Sequence, residues 1–300
     1  MRIRLLLFLA LAVPSSAAAQ SITATYGPAA RQLTDAALAD SAAWNRIAEL
    51  TDRFGHRFSG SESLERAIDW IMEKMKADGL ENVRGEPVMV PHWVRGRESA
   101  RLVEPRPVDL PMLGLGGSVG TPAGGITAEV LVVTSFEDLA AKAGQARSKI
   151  VLFDVPFTSY GSTVQYRVRG AVEAAKVGAV AMMLRSVGPF GMRTPHTGGM
   201  FYDSTTTRIP AFAITSEDAS MLHRMQRRGE KIVVHVEMEA RTLPDAPSRN
   251  VIGEIRGREK PDEIVVIGGH IDSWDVGTGA MDDAGGVIIA WEAVRLMKRL

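Results

Sequence analysis

The sequence predicts an α/β protein: a mixed, largely parallel sheet between helices, interrupted by an inserted α/β domain. Three observations carry that expectation. Between Ile150 and Val236 short apolar runs alternate with helical patterns, the mark of strand–helix units. Breaker-rich stretches at Glu104–Pro122 and Pro244–Pro247 flank this region. Beyond the second, Ile264-Val265-Val266-Ile267 is apolar on both faces and ends in Gly268-Gly269-His270, as a central parallel strand would.

Taken in order, the elements begin with a targeting segment. Arg2 and Arg4, the apolar run Leu5–Val13, the break at Pro14 and the small residues Ala17-Ala18-Ala19 have the three-part order of a signal peptide. Residues 1–19 are therefore expected to be removed and the mature protein to be secreted or periplasmic. The run is too short to span a bilayer. A helix is expected from Thr34, as N-cap, to Phe54, with Leu38, Ala42, Ile47 and Leu50 as its apolar stripe. Ser59 and Glu62 fit a capping box for a second helix, which turns Leu64, Ile68, Ile71, Met72 and Met75 inward and ends at Gly79. A strand follows at Glu86–Val90. In the middle region, strands are expected at Ile150–Phe153, Ala179–Leu184, Ile209–Ile214 and Ile232–Val236. Helices are expected over Gly170–Val177 and from Thr215 or Ser216. After Pro247 come a strand at Val251–Ile255, a polar turn at Arg256–Asp262, and a helix from Val287 that reaches Leu300 without a C-cap, as if the domain continued.

Composition narrows the function classes. The 300 residues are 45% hydrophobic and 23% charged, values of a folded globular chain. Lys+Arg and Asp+Glu both number 35, and zero net charge argues against a nucleic-acid partner. There is no cysteine, which excludes disulfides, Cys-ligated zinc, iron–sulfur clusters and a Cys nucleophile. A metal site would need His, Asp and Glu.

Such residues concentrate in Gly268–Gly286. His270 follows an apolar strand, and ligands of open α/β sheets bind just past strand carboxyl ends. Asp272, two residues on, can accept the second ring N–H of His270 and orient it. A glycine-rich stretch then brings Asp282 or Asp283 to a helix start, where one carboxylate can bridge two metal ions. Taken alone, His-x-Asp fits an ordinary hydrogen-bonded pair better than a site, with Asp282 as a helix N-cap. The strand before it and the Asp-Asp after it favour the metal site. The other histidines carry less: His56 reads as surface, His92 as packing, His223 as exposed, His235 as structural, and His196 lies in a Gly/Pro/Thr loop. There is no His-Glu-x-x-His and no complete Gly-x-Gly-x-x-Gly.

The segment Gly-His-Ile-Asp-Ser-Trp-Asp-Val-Gly-Thr-Gly-Ala-Met-Asp-Asp, residues 269–283, closely resembles the metal-binding segment of the di-zinc aminopeptidase and carboxypeptidase family. Pro91–Gly96, Gly170–Ala179, Ser186–Gly198 and Ile209–Ala219 resemble that family too, so the likeness covers nearly the whole mature chain. The resemblance implies a zinc-peptidase α/β fold with an inserted protease-associated domain. The corresponding division is 1–19 signal peptide, 20–109 first part of the catalytic domain, 110–246 insert, and 247–300 catalytic domain resumed. It implies two zinc ions, with His270 as ligand of one, Asp282 as the bridging carboxylate, and Asp272 as the catalytic residue that orients His270. It also allows a homodimer. Family members carry a Glu-Glu pair and a later Asp and His that find no counterpart before Leu300, so the chain by itself is expected to be inert. The expected function is a secreted zinc metallopeptidase, a carboxypeptidase or dipeptidase, that cleaves dipeptides or short peptides through a metal-activated water. The alternatives are an aminopeptidase of the same family and a non-catalytic binding protein that keeps the fold.

Overall fold

A computed structural model describes residues 22–191 and 193–300. The expected signal peptide lies outside the described residues. Helix α1 spans Ile22–Leu38 and α2 spans Ala42–Phe54, so the helix expected from Thr34 is two. Thr34 lies inside α1, where its hydroxyl donates to the Ala30 carbonyl at 2.8 Å. The chain breaks at Asp40, whose carboxylate accepts the Ala42 amide at 2.8 Å and starts α2. Helix α3, Glu62–Ala77, is capped by Ser61, which accepts the Leu64 amide. Ser59 plays a different part from the expected cap: its hydroxyl donates to the Pro91 carbonyl at 2.7 Å.

Strand β1, Glu81–Val94, pairs antiparallel with β10, Arg241–Glu254, as a long two-stranded ribbon. Pro244 and Pro247 lie within β10 rather than in a boundary loop. A ribbon tolerates them because each strand has an edge that needs no donor.

Between the two ribbon strands lies an eight-stranded sheet. Its strands are β2 (Glu98–Glu104), β3 (Val108–Leu110), β4 (Met112–Gly114), β5 (Ile126–Val133), β6 (Ile150–Phe153), β7 (Ala181–Arg185), β8 (Ala211–Ile214) and β9 (Val233–Met238), in the order β3-β2-β9-β5-β6-β7-β8-β4. Strands β5 to β8 are parallel and the outer pairings antiparallel. The sheet therefore begins at Glu98, before the expected start at Leu110. Helices α4 (Phe136–Ala141), α5 (Ala143–Ala146), α6 (Tyr160–Lys176) and α7 (Ser216–Arg227) connect its strands. Alternation along β6 sends Ile150 and Leu152 to one core and Val151 and Phe153 to the other.

A third core joins α2 and α3 to α8, Gly285–Arg299, through Leu50, Trp70, Ile71, Ile288 and Trp291. Arg46 pins it down: its guanidinium pairs with Asp78 at 2.7 Å and with Glu292, and lies 4.1 Å over the Trp291 ring.

The strand expected at Ile264–Ile267 does not form. Ile264, Val265 and Val266 are 84–88% exposed and have no ladder partner. A run apolar on both faces becomes a central strand only between two neighbours, and no strand among the described residues lies beside it. No helix among those residues is long and apolar enough to cross a membrane.

Candidate metal centre

The segment after Gly268 is loop up to a short turn at Ala280–Ala284, which leads directly into α8. This turn brings Asp282 back to His270. Asp282 Oδ1 lies 3.0 Å from His270 Nε2. On the far side of the ring, Nδ1 faces the Asp272 carbonyl at 3.0 Å and Asp272 Oδ1 at 3.2 Å. Partial burial works against a charged His270, but the Asp272 carboxylate and carbonyl, followed by Asp282 and Asp283, outweigh it and raise its pKa.

The four acids of this segment have separate employments. Asp272 faces the ring of His270. Asp275 forms a bidentate pair with Arg95. Asp283 accepts two backbone amides, from His270 at 3.1 Å and from Gly286 at 3.0 Å, and so ties the loop to the first turn of α8. Asp282 points its carboxylate at Nε2 and is 79% exposed. This division settles which of the adjacent acids faces the imidazole. The peptide between them is cis.

The arrangement suits a divalent ion at its donor set. One imidazole nitrogen and one carboxylate oxygen converge, and the other ring nitrogen is already engaged. Two ligands of a tetrahedral zinc lie about 3.3 Å apart, close to the observed 3.0 Å. Among the described residues no group of three or more His, Cys, Asp or Glu is arranged to hold an ion, because the other nearby carboxylates are committed to the ring, Arg95 and the backbone.

Two arginines that sequence reasoning missed build this loop. Arg57 is fully buried. Its Nε donates to Ile271 O at 2.8 Å, Nη1 to Gly55 O at 2.9 Å and Thr278 O at 2.8 Å, and Nη2 to Gly279 O at 3.1 Å. Its backbone exchanges hydrogen bonds with Ser273, both at 2.9 Å. Gly279 has φ +61°, and a Cβ there would strike Ser273. Arg95 joins Asp275 to the Gly114 carbonyl and lies beside Glu98. Burial holds Glu98 above the usual carboxylate range, and the Asp275 charge adds to that while Arg95 opposes it. Both arginines reach the loop from more than 170 residues away, and carbonyl acceptors leave no pattern in a sequence. The only signal was their place beside His56 and Trp93.

His92, His196, His223 and His235 engage other partners. His92 packs against Gly60, and His235 bonds Thr127 at 2.7 Å. His223, expected to be exposed, is half-buried and bonded to Asp154 at 2.7 Å, because Asp154 follows β6 and faces α7. The His196 amide donates to the Ser186 hydroxyl. Burial and the nearby Arg167 charge push the His196 pKa down.

Residues 250–300 match the family model for Peptidase family M28. The chain is 53% identical to carboxypeptidase Q of Mus musculus over 257 residues, which are 86% of this chain and 55% of that protein. The crystal structure of a peptidase M28 precursor from Shewanella amazonensis superposes with a TM-score of 0.88 at 39% identity, over 92% of this chain and 64% of that one. A zinc aminopeptidase from Bacillus subtilis shares the fold with a TM-score of 0.61 at 21% identity, over 86% of this chain and 57% of that one. The chain thus spans a little over half the length of the curated relatives it matches.

Proposed function

We propose that this chain, a homologue of carboxypeptidase Q with a family M28 segment at residues 250–300, supplies the metal-gripping part of a zinc-dependent exopeptidase that cleaves dipeptides or short peptides. One observation carries the reading: inside that segment, His270 Nε2 and Asp282 Oδ1 converge on one point with Asp272 behind the ring.

His270 and Asp282 would hold zinc, and the second oxygen of Asp282 suits it to bridge to a second ion. When bound, the metal supplies a Lewis acid that polarises the scissile carbonyl and acidifies a water. The chain's own residues do the positioning. Asp272 accepts the Nδ1 proton of His270 and so leaves the lone pair on Nε2, facing Asp282. Asp283 fixes the backbone of His270 against α8. An imidazole donor favours zinc over magnesium or calcium, and a neighbour of the same fold is described as a zinc aminopeptidase. The eight-stranded sheet fits the part of the protease-associated insert. The order of residues 1–19 fits export from the cytoplasm.

Carboxypeptidase action is preferred to aminopeptidase action because the carboxypeptidase Q relative is 53% identical and the aminopeptidase neighbour 21%. The test uses a protein spanning the length of those relatives. Dipeptide hydrolysis should stop with chelator, return with zinc, and be lost in His270→Ala. An N-acetylated dipeptide should be cleaved and a C-terminally amidated one refused. Chelator-insensitive turnover, or none at all, would overturn the metal reading; the opposite preference for blocked ends would overturn the carboxypeptidase assignment alone.

A further inference from the structure

Arg57 presents a physical problem that packing does not answer. It is 0% exposed, and no carboxylate lies within ion-pair distance of it among the described residues. A buried cation without a paired anion is costly. Burial lowers its pKa, and only the charge of Asp272, farther off, opposes that. A leucine or methionine would fill the same volume with no such penalty.

What a guanidinium alone can do here is hold several backbone carbonyls in one plane. Four donor contacts are made, and three of them go to the candidate metal loop. Ile271, whose carbonyl takes Nε at 2.8 Å, sits between His270 and Asp272. Gly279, whose carbonyl takes Nη2 at 3.1 Å, is also the acceptor of the Ala284 amide at 3.2 Å. That second bond closes the turn that carries Asp282. One buried side chain therefore touches both stretches that bear the proposed ligands, and the rigid fork sets the spacing between them.

We propose that Arg57 is a positioning residue of the metal centre: its guanidinium clamps Ile271 and Thr278–Gly279 so that His270 Nε2 and Asp282 meet at one ion. This rests on the metal-centre reading above. Lysine cannot replace it, since an ammonium is a point donor on a flexible stem and cannot span both stretches in a plane.

The test uses the protein at the length of its relatives, loaded with Co(II) in place of zinc. Metal affinity is read by chelator competition and ligand geometry by the visible cobalt spectrum, neither of which needs turnover. Arg57→Lys should bind the ion about 10–100-fold more weakly, the usual cost of losing a group that orients ligands, with an altered spectrum. Arg57→Ala should recover part of both on addition of millimolar methylguanidinium, which a purely space-filling role would not produce. If Arg57→Lys fails to fold, the uncharged Arg57→Gln takes its place: its one amide nitrogen cannot hold the Ile271, Thr278 and Gly279 carbonyls together, and the same weakening is expected. His270→Ala runs beside them. Unchanged affinity in His270→Ala overturns the metal centre itself. Weakened binding in His270→Ala with wild-type affinity and spectrum in Arg57→Lys, or in Arg57→Gln when that stands in, overturns the role of Arg57 alone.

Discussion

Arg95 grips Asp275 through two parallel hydrogen bonds, Nε to Oδ2 at 2.8 Å and Nη2 to Oδ1 at 2.7 Å. The pair fastens the loop at residues 269–283 to the end of β1, and the same guanidinium reaches the Gly114 carbonyl of β4. The side chains are 9% and 18% exposed. Asp275→Ala would leave a nearly buried cation with only Glu98 beside it. Urea unfolding should show a loss of about 3 kcal/mol, the order found when one partner of a buried pair is removed. Arg95→Met with Asp275→Leu and Glu98→Gln should recover much of it, since Glu98 also lies beside Arg95 and the triple replacement leaves no stranded charge.

Asp272→Asn should preserve the fold and weaken metal binding. The carboxylate stands behind His270 Nδ1 at 3.2 Å, and the Asp272 carbonyl at 3.0 Å remains to hold the ring. The expected loss is about 10-fold, the lower end of the range for such groups. Chelator competition measures the affinity, and unchanged circular dichroism checks the fold. Equal affinities would remove Asp272 from the site.

Gly269 is a place where two backbones nearly touch. A Cβ there would lie 2.6 Å from both Asp283 Oδ2 and the Val287 amide nitrogen. Gly269→Ala must push the loop away from α8 and break the bond between the His270 amide and Asp283. A loss of about 1–3 kcal/mol in thermal or urea unfolding is expected, the usual cost of overpacking, together with weaker metal binding. Gly268→Ala, where a Cβ meets nothing within 4 Å, serves as the neutral control.

Acid should weaken the docking of α8 through Asp40. Bonds from Arg295, the Ala42 amide and Arg299 lower its pKa from 3.8 to about 2. A folded-state pKa below the unfolded one stabilises the fold above the unfolded value and loses that stability as pH falls through the folded one. The contribution is therefore complete above about pH 4 and lost between pH 4 and 2. Thermal unfolding of the wild type and Asp40→Asn at pH 5.5 and pH 3 checks it. The gap between the two proteins should narrow at the lower pH, and an unchanged gap would falsify the assignment.

Much was legible in the sequence because local patterns carried it. The strands Ile150–Phe153 and Ala211–Ile214 are short apolar runs, and the cap at Thr215 follows from a hydroxyl three residues ahead of Asp218. His270, Asp272 and Asp282 stood out because acids and a histidine cluster between an apolar run and a helix start. Errors came where two local solutions competed. Ser59 and Ser61 both precede Glu62, and Ser59 is drawn off by the Pro91 carbonyl of a distant strand. Thr34 could start a helix, yet the break came at Asp40, where a carboxylate bonds both an amide and the arginines of α8.

By itself, then, the sequence determined the α/β class, the alternation of the middle sheet, and the clustering of one His and four Asp in residues 269–283, since each depends on side-chain period or chemistry within about 20 residues. Only the tertiary structure decided that Asp282 faces the imidazole while Asp283 holds the backbone, that Pro244 and Pro247 run within a ribbon, and that Arg57 and Arg95 build the loop from afar. Those outcomes depend on which carbonyls and carboxylates the folded chain brings within about 3 Å, a reach set by hydrogen-bond geometry. The same reason explains Ile264–Ile267: its composition suits a central strand, but a strand is defined by the neighbours that accept and donate its backbone bonds, and none among the described residues lies beside it.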